Sequence, residues 1–579
     1  MPAGDPGSRP CPGLSTDRKI KMTTPFADMT LPPDLKAKKG SGPVRSKVPV
    51  YCNSLPPCNH ACPTGSNIQE WLSLAQSGEF EPAFQALIKN NPMPAIHGRV
   101  CYHPCESACN RANVDESVSI HAVERFLGDE ALAQNWQVRF NAEPSGKRVL
   151  IVGAGPSGLA TAYHLKLKGH EVEIREAAPM AGGMMHFGIP AYRLPREILD
   201  KEIQRIENMG IKIVLNHKVD DLLAEKVKGR FDAVFLAIGA HVGRGVDIPN
   251  DNPEKVCDAV TYLRDVELGT APALGKRVAV YGGGNTAMDA ARTARRFGSE
   301  VMVIYRRDRD HMPAHDFECV EAMEEGVTFH WLRTIQSIDG TSFTLEKMAI
   351  DDNGRPQPTG QTETLEADSL ILALGQNIDT KLTRGIPGVE HKADGTVIVS
   401  EQMMTGYRGL FAGGDMVPSD RTVTIAVGHG KKAAAHIDAF LKGRKFTKIS
   451  KKPLIQYDKL HLWYKTDADQ SAQPAIPVER RARTFDEVVG GLTAQQAQYE
   501  AQRCYSCGNC FECNGCYGAC PQGAITRLGP GKGYRVDYEK CTGCEACASQ
   551  CPCHALEMIS LENNDVVKSL AADEPAHQE

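Results

Sequence analysis

Eight cysteines near the C-terminal end of the chain repeat one pattern, Cys-x-x-Cys-x-x-Cys-x-x-x-Cys-Pro, twice. Thiolates at this spacing ligate 4Fe–4S clusters, and in paired runs the fourth cysteine of each run ligates the other cluster. The two predicted ligand sets are Cys510, Cys513, Cys516 and Cys551, and Cys541, Cys544, Cys547 and Cys520. A pair of zinc sites is the alternative at the same x-x spacing. The pattern therefore predicts one-electron transfer at low potential.

Three more cysteines lie in the same segment, and the pattern does not assign them. Cys504 and Cys507 continue the x-x spacing backwards, and Cys553 follows the second run. They are ligands, spare thiols or a redox pair, and the sequence does not decide between these roles.

A first glycine-rich turn follows the apolar segment VLIV and carries Gly153, Gly155 and Gly158 in the spacing G-x-G-x-x-G. The first glycine permits a tight turn, the second lets the backbone approach a pyrophosphate, and the third lets the helix pack closely. Glu176 ends the next predicted strand, where an acid binds ribose hydroxyls. The whole series predicts a dinucleotide site, and the alternative is a glycine-rich turn without a ligand.

A second turn of the same kind follows VAVY, with Gly282, Gly284 and Ala287. At the end of the next strand stand Arg306 and Arg307, where the first unit has an acid. A carboxylate would repel a 2′-phosphate, whereas a guanidinium pairs with it bidentately. We therefore expect this site to prefer NADP(H) to NAD(H). The alternative is an exposed basic strand end that binds nothing.

Composition narrows the class of protein. The 579 residues are 41% hydrophobic with a net charge of −5, which predicts several globular domains and gives no sign of nucleic-acid binding. No apolar run is long enough to span a bilayer. Most of the 20 cysteines fall into two groups without a secretory signal. Such grouping indicates metal ligands in a reducing compartment, so we expect a cytoplasmic protein.

Five motifs in order resemble the glutamate synthase small subunit family, namely GAGPSG, GGMMHFGIPAYRLP, GGGNTAMD, YRR-x-x-x-x-MPA and GLFAGGD. Relatives of that family include the N-terminal half of dihydropyrimidine dehydrogenase and the larger subunit of NADH-dependent ferredoxin:NADP oxidoreductase. The resemblance covers roughly residues 50–445. It implies that the first Rossmann unit holds FAD and that the second, inserted into it, holds NADPH.

The resemblance also implies individual cofactor contacts. Asp415 in GLFAGGD would bind the ribityl chain, and TVTIAVGHGKKAAAHI would begin a helix that points at the flavin ring. The positive end of that helix dipole would stabilise negative charge on reduced flavin. Further cofactor contacts are implied at Pro156, Gly183, Thr424, Asn285 and Thr286.

The N-terminal cysteines resemble the two-cluster domain of the same family but depart from its pattern. The family usually has four cysteines in the first run, whereas this chain has three, with Cys52 shifted in spacing. In dihydropyrimidine dehydrogenase a glutamine replaces one cysteine ligand, and Glu124 falls at the equivalent place. The resemblance thus implies one cluster on Cys62, Cys101, Cys105 and Glu124. A second, on Cys52, Cys58 and Cys109, would lack one ligand, so one or two clusters are expected here. Reduced structural cysteines are the alternative.

The expected fold is α/β, with two nested Rossmann-like domains for FAD and NADPH, a helical iron–sulfur domain before them and a bacterial ferredoxin-like domain after them. The predicted boundaries are a flexible lead-in at 1–48, the helical domain at 49–143, the FAD-binding domain at 144–270 and 370–445, the NADPH-binding domain at 271–369, a linker at 446–500, the ferredoxin-like domain at 501–562 and a tail at 563–579.

The expected function is electron transfer between NADP(H), FAD and 4Fe–4S clusters, as the pyridine-nucleotide subunit of a larger redox complex. Cofactors carry such chemistry, so no side chain is predicted to act as acid, base or nucleophile. The C-terminal segment resembles the ferredoxin-like subunit of 2-oxoacid:ferredoxin oxidoreductases, which makes such an enzyme, or ferredoxin, the expected partner. The alternatives are the NADPH-input subunit of an amination complex and a scaffold subunit with vestigial cofactors.

Overall fold

The computed structural model describes residues 45–446 without 252, and residues 452–561 without 464. Most of the predicted lead-in, the predicted tail at 563–579 and residues 447–451 of the predicted linker lie outside the described residues. The chain divides into two compact units. Among the described residues, one unit contains residues 45–52 and 512–561, and the other contains the described part of residues 53–511. The first strand, β1 (Lys47–Tyr51), belongs to the former unit.

The larger unit begins with a helical region. Its helices are α1 (Pro57–Ala61), α2 (Ile68–Gln76), α3 (Phe80–Ile88), α4 (Pro94–Val100), α5 (Pro104–Ser107) and α6 (Ile120–Ala133). In α2 the residues Ile68, Trp71, Leu72 and Ala75 are buried, which is the spacing of one apolar helix face. The short helices α1, α4 and α5 each start with a proline at the first helical position, which fixes φ where the N–H needs no partner.

A five-stranded parallel sheet follows. Its part of the chain runs through β2 (Arg148–Val152), α7 (Pro156–Lys166), β3 (Glu171–Arg175), α8 (Met184–Phe187), α9 (Arg196–Glu207), β4 (Lys212–Val214), α10 (Leu222–Lys228) and β5 (Ala233–Leu236). The strand β2 is buried along almost its whole length, as expected for a parallel sheet covered on both faces.

The next segment forms a second sheet, followed by the elements that return to the first sheet. Its elements are β6 (Val242–Gly243), β7 (Val256–Asp258), α11 (Ala259–Glu267), β8 (Arg277–Tyr281), α12 (Asn285–Arg296), β9 (Glu300–Tyr305), α13 (Asp316–Glu324), β10 (Thr328–Trp331), β11 (Arg333–Asp339), β12 (Ser342–Ile350), β13 (Pro356–Glu366), β14 (Ser369–Leu372), β15 (Gln376–Asn377), β16 (Leu410–Ala412) and α14 (Val423–Leu441).

The strand order shows the predicted nesting. The first sheet has the order β16-β5-β2-β3-β4, so a strand near residue 410 completes a sheet begun at residue 148. The second sheet has the order β10-β9-β8-β14-β7, and all of its pairs are parallel. The strands β11, β12 and β13 form a separate antiparallel sheet.

The second sheet extends beyond the predicted range of 271–369 at both ends. The strand β7 pairs with β14 at its edge, and β14 itself ends at Leu372. Because β7 is three residues long and no glycine-rich turn follows it, nothing in the sequence pattern marks it as part of this sheet.

The segment predicted as a linker packs against the rest of its unit. It contains α15 (Val478–Arg481) and α16 (Ala494–Gln502). Glu487 forms ion pairs with Arg99 at 2.7 Å and Arg125 at 3.0 Å, and Val488 N–H donates to the carbonyl of Tyr192 at 3.0 Å. These partners lie hundreds of residues earlier in the chain, so the segment's irregular composition gave no sign of them.

The smaller unit consists of two stretches of chain. The first contributes β1, and the second contributes α17 (Gly515–Ala519), β17 (Ile525–Arg527), β18 (Tyr534–Val536), α18 (Ala546–Ser549) and β19 (Leu556–Ser560). The strand β1 pairs antiparallel with β19, and β17 pairs with β18. Two short hairpin-like pairs and two single-turn helices give little apolar core, so metal clusters would supply stability here. Within the described residues, no helix combines the length and the apolar content that a membrane crossing requires.

Candidate functional site

One cavity of about 910 Å³ reaches both glycine-rich turns. This volume lies at the upper end of the roughly 300–1,000 Å³ that is usual for cofactor and ligand sites. The predicted cofactor residues that line it are Gly153, Gly155, Pro156, Glu176, Gly183, Gly284, Asn285, Thr286 and Asp415. The structure thus brings together residues from both predicted dinucleotide sites around one space.

The first turn leaves room where a pyrophosphate would lie. Gly153 has a φ of +105°, and a side chain there would meet the carbonyl oxygen of Ala237 at 2.3 Å. A side chain at Gly155 would have only Gly183 Cα, at 4.0 Å, within reach, so this position faces open space. Glu176 accepts the N–H groups of Ala154 at 2.7 Å and Ala178 at 2.9 Å. These bonds hold the carboxylate at the cavity wall, and the turn fits a bound dinucleotide.

The helix α14 points its N-terminal end at this cavity, as the resemblance implied. Thr422 caps it by accepting the N–H of Ile425 at 3.2 Å, and Val423 and Ala426 line the cavity. Burial raises the pKa of Asp415, just before this helix, to about 6. Thr424 does not line the cavity. It is buried, and its hydroxyl lies beside the Cys101 thiol instead.

The two arginines that follow β9, in the second dinucleotide-binding unit, do not line the cavity. Arg306 follows β9 and is exposed. The Nε atom of Arg307 is buried and has no hydrogen-bond partner among the described residues. A buried donor left without a partner fits a site that accepts an anionic group such as a 2′-phosphate. The nearby side chain of Asn285 is held by Tyr102 and by His315, at 2.6 and 3.1 Å.

A buried charged network beside the cavity was not foreseen. Arg193 pairs with Asp289 on α12 at 2.8 Å and with Glu318 on α13 at 2.6 Å. The hydroxyl of Tyr102 donates to the same Glu318 at 3.3 Å. Burial raises the pKa of Glu318 to about 7, against the lowering effect of Arg193. In the sequence, Arg193 stands in the motif GIPAYRLP, outside both glycine-rich turns. In the structure its side chain lines the cavity.

We expect Arg193→Met to destabilise the larger unit. Removal of one partner from a buried ion pair typically costs about 3–5 kcal/mol, because it leaves an uncompensated charge. Here two buried carboxylates, Asp289 and Glu318, would lose their shared cation. The free energy of unfolding, from urea denaturation followed by flavin fluorescence, should fall by about that amount. Arg309→Met is the control, because Arg309 and its partner Asp316 are exposed and their loss should leave the midpoint unchanged.

One predicted N-terminal ligand set is brought together by the structure. Burial, together with the nearby Glu124 carboxylate and Cys62 thiol, raises the pKa of Cys101 to about 12. The thiol of Cys105 lies close to the same three groups. Desolvation raises the pKa of the half-buried Glu124 to about 7, and its carboxylate accepts one hydrogen bond from Asn91 Nδ2 at 2.8 Å. Three thiols and a carboxylate fit an iron–sulfur cluster, and the assignment of these ligands stays a prediction.

The other N-terminal cysteines separate in the structure. Cys58 and Cys109 line a small cavity that Cys504 and Cys507 also line. Cys52 belongs to the smaller unit, where its N–H donates to the carbonyl of Ala555 at 3.0 Å. The structure brings Cys58 and Cys109 together with Cys504 and Cys507, and the expected place of Cys52 beside them stays a prediction.

The C-terminal cysteines of the smaller unit fall into the two expected groups. Cys520, Cys541, Cys544 and Cys547 line one small cavity. The thiols of Cys513 and Cys551 are near enough to Cys516 to raise its pKa, after burial. Cys510, the fourth predicted member of that group, belongs to the larger unit, and its role stays a prediction.

Known families match three stretches of the chain. Residues 147–430 match the pyridine nucleotide-disulphide oxidoreductase family, residues 45–136 match dihydropyrimidine dehydrogenase domain II with a 4Fe-4S cluster, and residues 509–555 match the 4Fe-4S dicluster domain. With the two nested sheets, these matches confirm the predicted fold class and the predicted cofactors FAD, NADPH and 4Fe–4S clusters.

Several curated proteins are similar along most of the chain. The NADP(+)-dependent formate dehydrogenase subunit beta of Moorella thermoacetica is 36% identical over 509 residues, which cover 78% of this chain and 70% of the relative. The NADPH-Fe(3+) oxidoreductase subunit beta of Geobacter sulfurreducens is 33% identical over 503 residues, which cover 78% of this chain and 75% of the relative. The glutamate synthase [NADPH] small chain of Azospirillum brasilense is 32% identical over 420 residues, which cover 67% of this chain and 87% of the relative.

Proposed function

This chain belongs to the glutamate synthase small subunit family of NAD(P)H-dependent flavin and iron–sulfur oxidoreductases, and from that membership we propose that it is the NADP(H) subunit of a larger redox complex. Electrons would move between NADP(H) and a partner through FAD and 4Fe–4S clusters. The protein would work in the cytoplasm, on the argument from its grouped cysteines.

The observation that carries this proposal is the position of α14. The first turn of this helix lines the flavin cavity through Val423 and Ala426, while Thr424 on its other side lies beside Cys101. About two helical turns later, Lys431 donates to the carbonyl of Thr64 at 2.8 Å and lies near the Cys62 thiol. One helix therefore separates the cavity from the cysteine set, which is the arrangement that short-range electron transfer requires.

The glycine-rich turns, α14 and Arg193 have separate roles in this function. A bound FAD would supply the exchange between the two-electron chemistry of NADPH and the one-electron chemistry of iron–sulfur clusters. The glycine-rich turns hold the phosphates, and the N-terminal end of α14 stabilises negative charge at the flavin. The ion pairs of Arg193 join the two nucleotide-binding parts of the chain and so fix the distance between them.

The direct test is the visible spectrum of the purified, anaerobic protein. We expect flavin bands together with a broad brown absorption, and both should bleach when NADPH is added. Colourless protein would contradict the proposal and support a scaffold whose cofactors are vestigial.

The preference for NADPH should depend on the basic strand end after β9. Replacing Arg306 by Glu and Arg307 by Ala removes two guanidinium groups, and a charge-assisted contact to a 2′-phosphate is worth roughly 1.5–3 kcal/mol. The KM for NADPH should therefore rise about 10- to 150-fold, while the KM for NADH changes little. Steady-state reduction of a dye acceptor measures both. Arg309→Ala, a neighbouring arginine paired with Asp316, is the control, and equal effects on both nucleotides would exclude the assignment.

The partner is a separate part of the proposal. The ferredoxin-like segment supports a 2-oxoacid:ferredoxin oxidoreductase, and the name of one relative adds the catalytic subunit of a formate dehydrogenase as a second candidate. Affinity purification of the native complex, followed by assays with a 2-oxoacid or with formate as the electron source, separates the two. Co-purification with a subunit that has glutaminase activity would instead support an amination complex.

A further inference from the structure

The segment just after α16 brings two cysteines to the N-terminal helical region. The helix begins with a capping box between Thr493 and Gln496, and its last turn is followed at once by Cys504. Ser506, between the two cysteines, has a φ of +52° and donates its N–H to the Cys504 sulfur at 3.4 Å. Backbone N–H groups aimed at a thiolate in a Cys-x-x-Cys turn are typical of metal-ligating loops.

Buried ion pairs and hydrogen bonds fix the position of this segment. Glu500 accepts the N–H of Ser119 at 2.7 Å, and Arg503 donates to the carbonyl of Ser117 at 2.9 Å. In return, Arg111 donates to the carbonyl of Arg503 at 3.0 Å. Arg503 and Glu500 are 2% and 0% exposed, which is rare for charged residues and shows that the segment is part of the core.

Further hydrogen bonds fix the chain just beyond Cys507. The N–H of Ser54 donates to the carbonyl of Gly508 at 2.8 Å, and Asn509 Nδ2 donates back to the carbonyl of Ser54 at 3.1 Å. The Cys-x-x-Cys turn is thus held before Cys504 by residues that follow the second N-terminal cysteine run, and beyond Cys507 by Ser54, beside the first run.

Four thiols meet where this segment reaches the helical region. Cys58, Cys109, Cys504 and Cys507 line one small cavity, whose other walls include Leu72, Val118 and Ile120. All four are free thiols. The thiol of Cys58 lies close to the thiols of the other three. Four thiols that crowd one small cavity have no packing role that smaller apolar residues would not fill better, whereas four thiolates are the usual ligands of a 4Fe–4S cluster.

Charged and polar groups border the cavity. The Arg503 guanidinium and the Glu106 carboxylate lie close to the Cys109 thiol, and the Lys465 ammonium lies close to the Cys504 thiol. Asn110 donates to the Cys507 sulfur at 3.5 Å. A cluster held by four thiolates is anionic, and the two cations and the amide would stabilise its charge and tune its potential.

The spacing of the N-terminal cysteines now has a reason. In Cys58-x-x-x-Cys62 and in Cys105-x-x-x-Cys109, one cysteine of each pair lies with the Glu124 set and the other with the Cys504 turn. Each pair of cysteines four residues apart therefore contributes one ligand to each of two neighbouring sites. The cysteine runs of a two-cluster ferredoxin are divided between two clusters in the same way.

We propose that Cys504 and Cys507, from the far end of the chain, complete with Cys58 and Cys109 the ligand set of a second 4Fe–4S cluster in the helical region. Cys52 is not part of it. The chain then holds four clusters, two on the helical region and two on the C-terminal cysteine runs, and the segment of 452–507 is the part of the chain that closes the second site.

The test measures iron in the full-length protein. Four clusters correspond to about 16 iron atoms per FAD after anaerobic purification or reconstitution. The double variant Cys504→Ser/Cys507→Ser should lose about 4 of them and keep its FAD, and Cys52→Ser should lose none. Bleaching of the flavin by NADPH should persist in both variants, so it reports on the proposed function independently of the fourth cluster. Cys257→Ser, a thiol outside every set, is a further control.

Other outcomes overturn the proposal. Unchanged iron in the double variant would show that Cys504 and Cys507 are not ligands, and iron loss in Cys52→Ser would return the site to the ligand set first expected. About 12 iron atoms with one zinc ion in the native protein would assign the four thiols to zinc. If the double variant fails to fold, Cys507→Ser alone decides: one cluster signal in an EPR-monitored redox titration should shift, and four unshifted signals would exclude Cys507.

Discussion

Replacing Cys547 by Ala should almost abolish electron transfer to the partner while NADPH still bleaches the flavin at the native rate. Cys547 lines the cavity formed with Cys520, Cys541 and Cys544, and its loss leaves three ligands for one of the two C-terminal clusters. The rate of transfer to ferredoxin or to the native partner should fall by roughly 100-fold or more, because the ferredoxin-like domain is the proposed exit. Stopped-flow spectroscopy at the flavin and steady-state transfer to the acceptor measure the two steps separately.

The control for this variant is Cys319→Ala, which removes a buried thiol next to Met312 in the second sheet domain. It should change neither step. Native transfer rates in the Cys547 variant, together with loss of about 4 iron atoms, would show that electrons leave by another route.

Local spacing made much of this protein predictable. The glycine-rich turns and the ferredoxin-like cysteine runs lie within short stretches of chain, and the chemistry of such a stretch is set by neighbours in sequence. Gly153 has the positive φ of a tight turn, and Gly155 faces the open space that a pyrophosphate would need. Within the smaller unit, Cys520 lies with the second cysteine run rather than the first, as the spacing predicted.

The parts that could not be predicted depend on long-range packing. The sequence assigns no role to Cys504 and Cys507 because the thiols they meet, Cys58 and Cys109, lie some four hundred residues earlier. The polar and irregular composition of the segment before them predicts a linker. Its structure comes from ion pairs such as Glu487 with Arg99, and no periodicity in the sequence records such pairs.

Thr424 shows how one residue's role changes with the structure. The resemblance implied a flavin contact, and the sequence places Thr424 in the first turn of the expected helix. Residues three or four apart share a helix face, so Val423 and Ala426 face the cavity while Thr424 faces Cys101. Thr424 therefore lies between the two kinds of cofactor site, on the side of the iron–sulfur ligands.

The Cys101→Ala variant should separate reduction of the flavin from reduction of the clusters. Cys101 follows α4 directly, and its buried thiol lies between the Glu124 carboxylate, the Cys62 thiol and the first turn of α14. Because the Cys101 thiol lies beside Thr424 in the first turn of α14, its loss should remove the cluster that receives electrons first. NADPH should still bleach the flavin, while the remaining clusters should be reduced about 100-fold more slowly or not at all.

Rapid-freeze EPR after mixing with NADPH measures the clusters, and absorbance at the flavin band measures the first step. Thr424→Val is the matched variant. It keeps all four ligands of the Cys101 set and removes only the hydroxyl beside the thiol, so cluster reduction should continue, with a shifted potential for one cluster. Cys257→Ala should behave as the native protein. If the clusters of the Cys101 variant were reduced at the native rate after losing about 4 iron atoms, the route from flavin to the ferredoxin-like domain would bypass the Glu124 set. The cluster at Cys58, Cys109, Cys504 and Cys507 would then be the first acceptor.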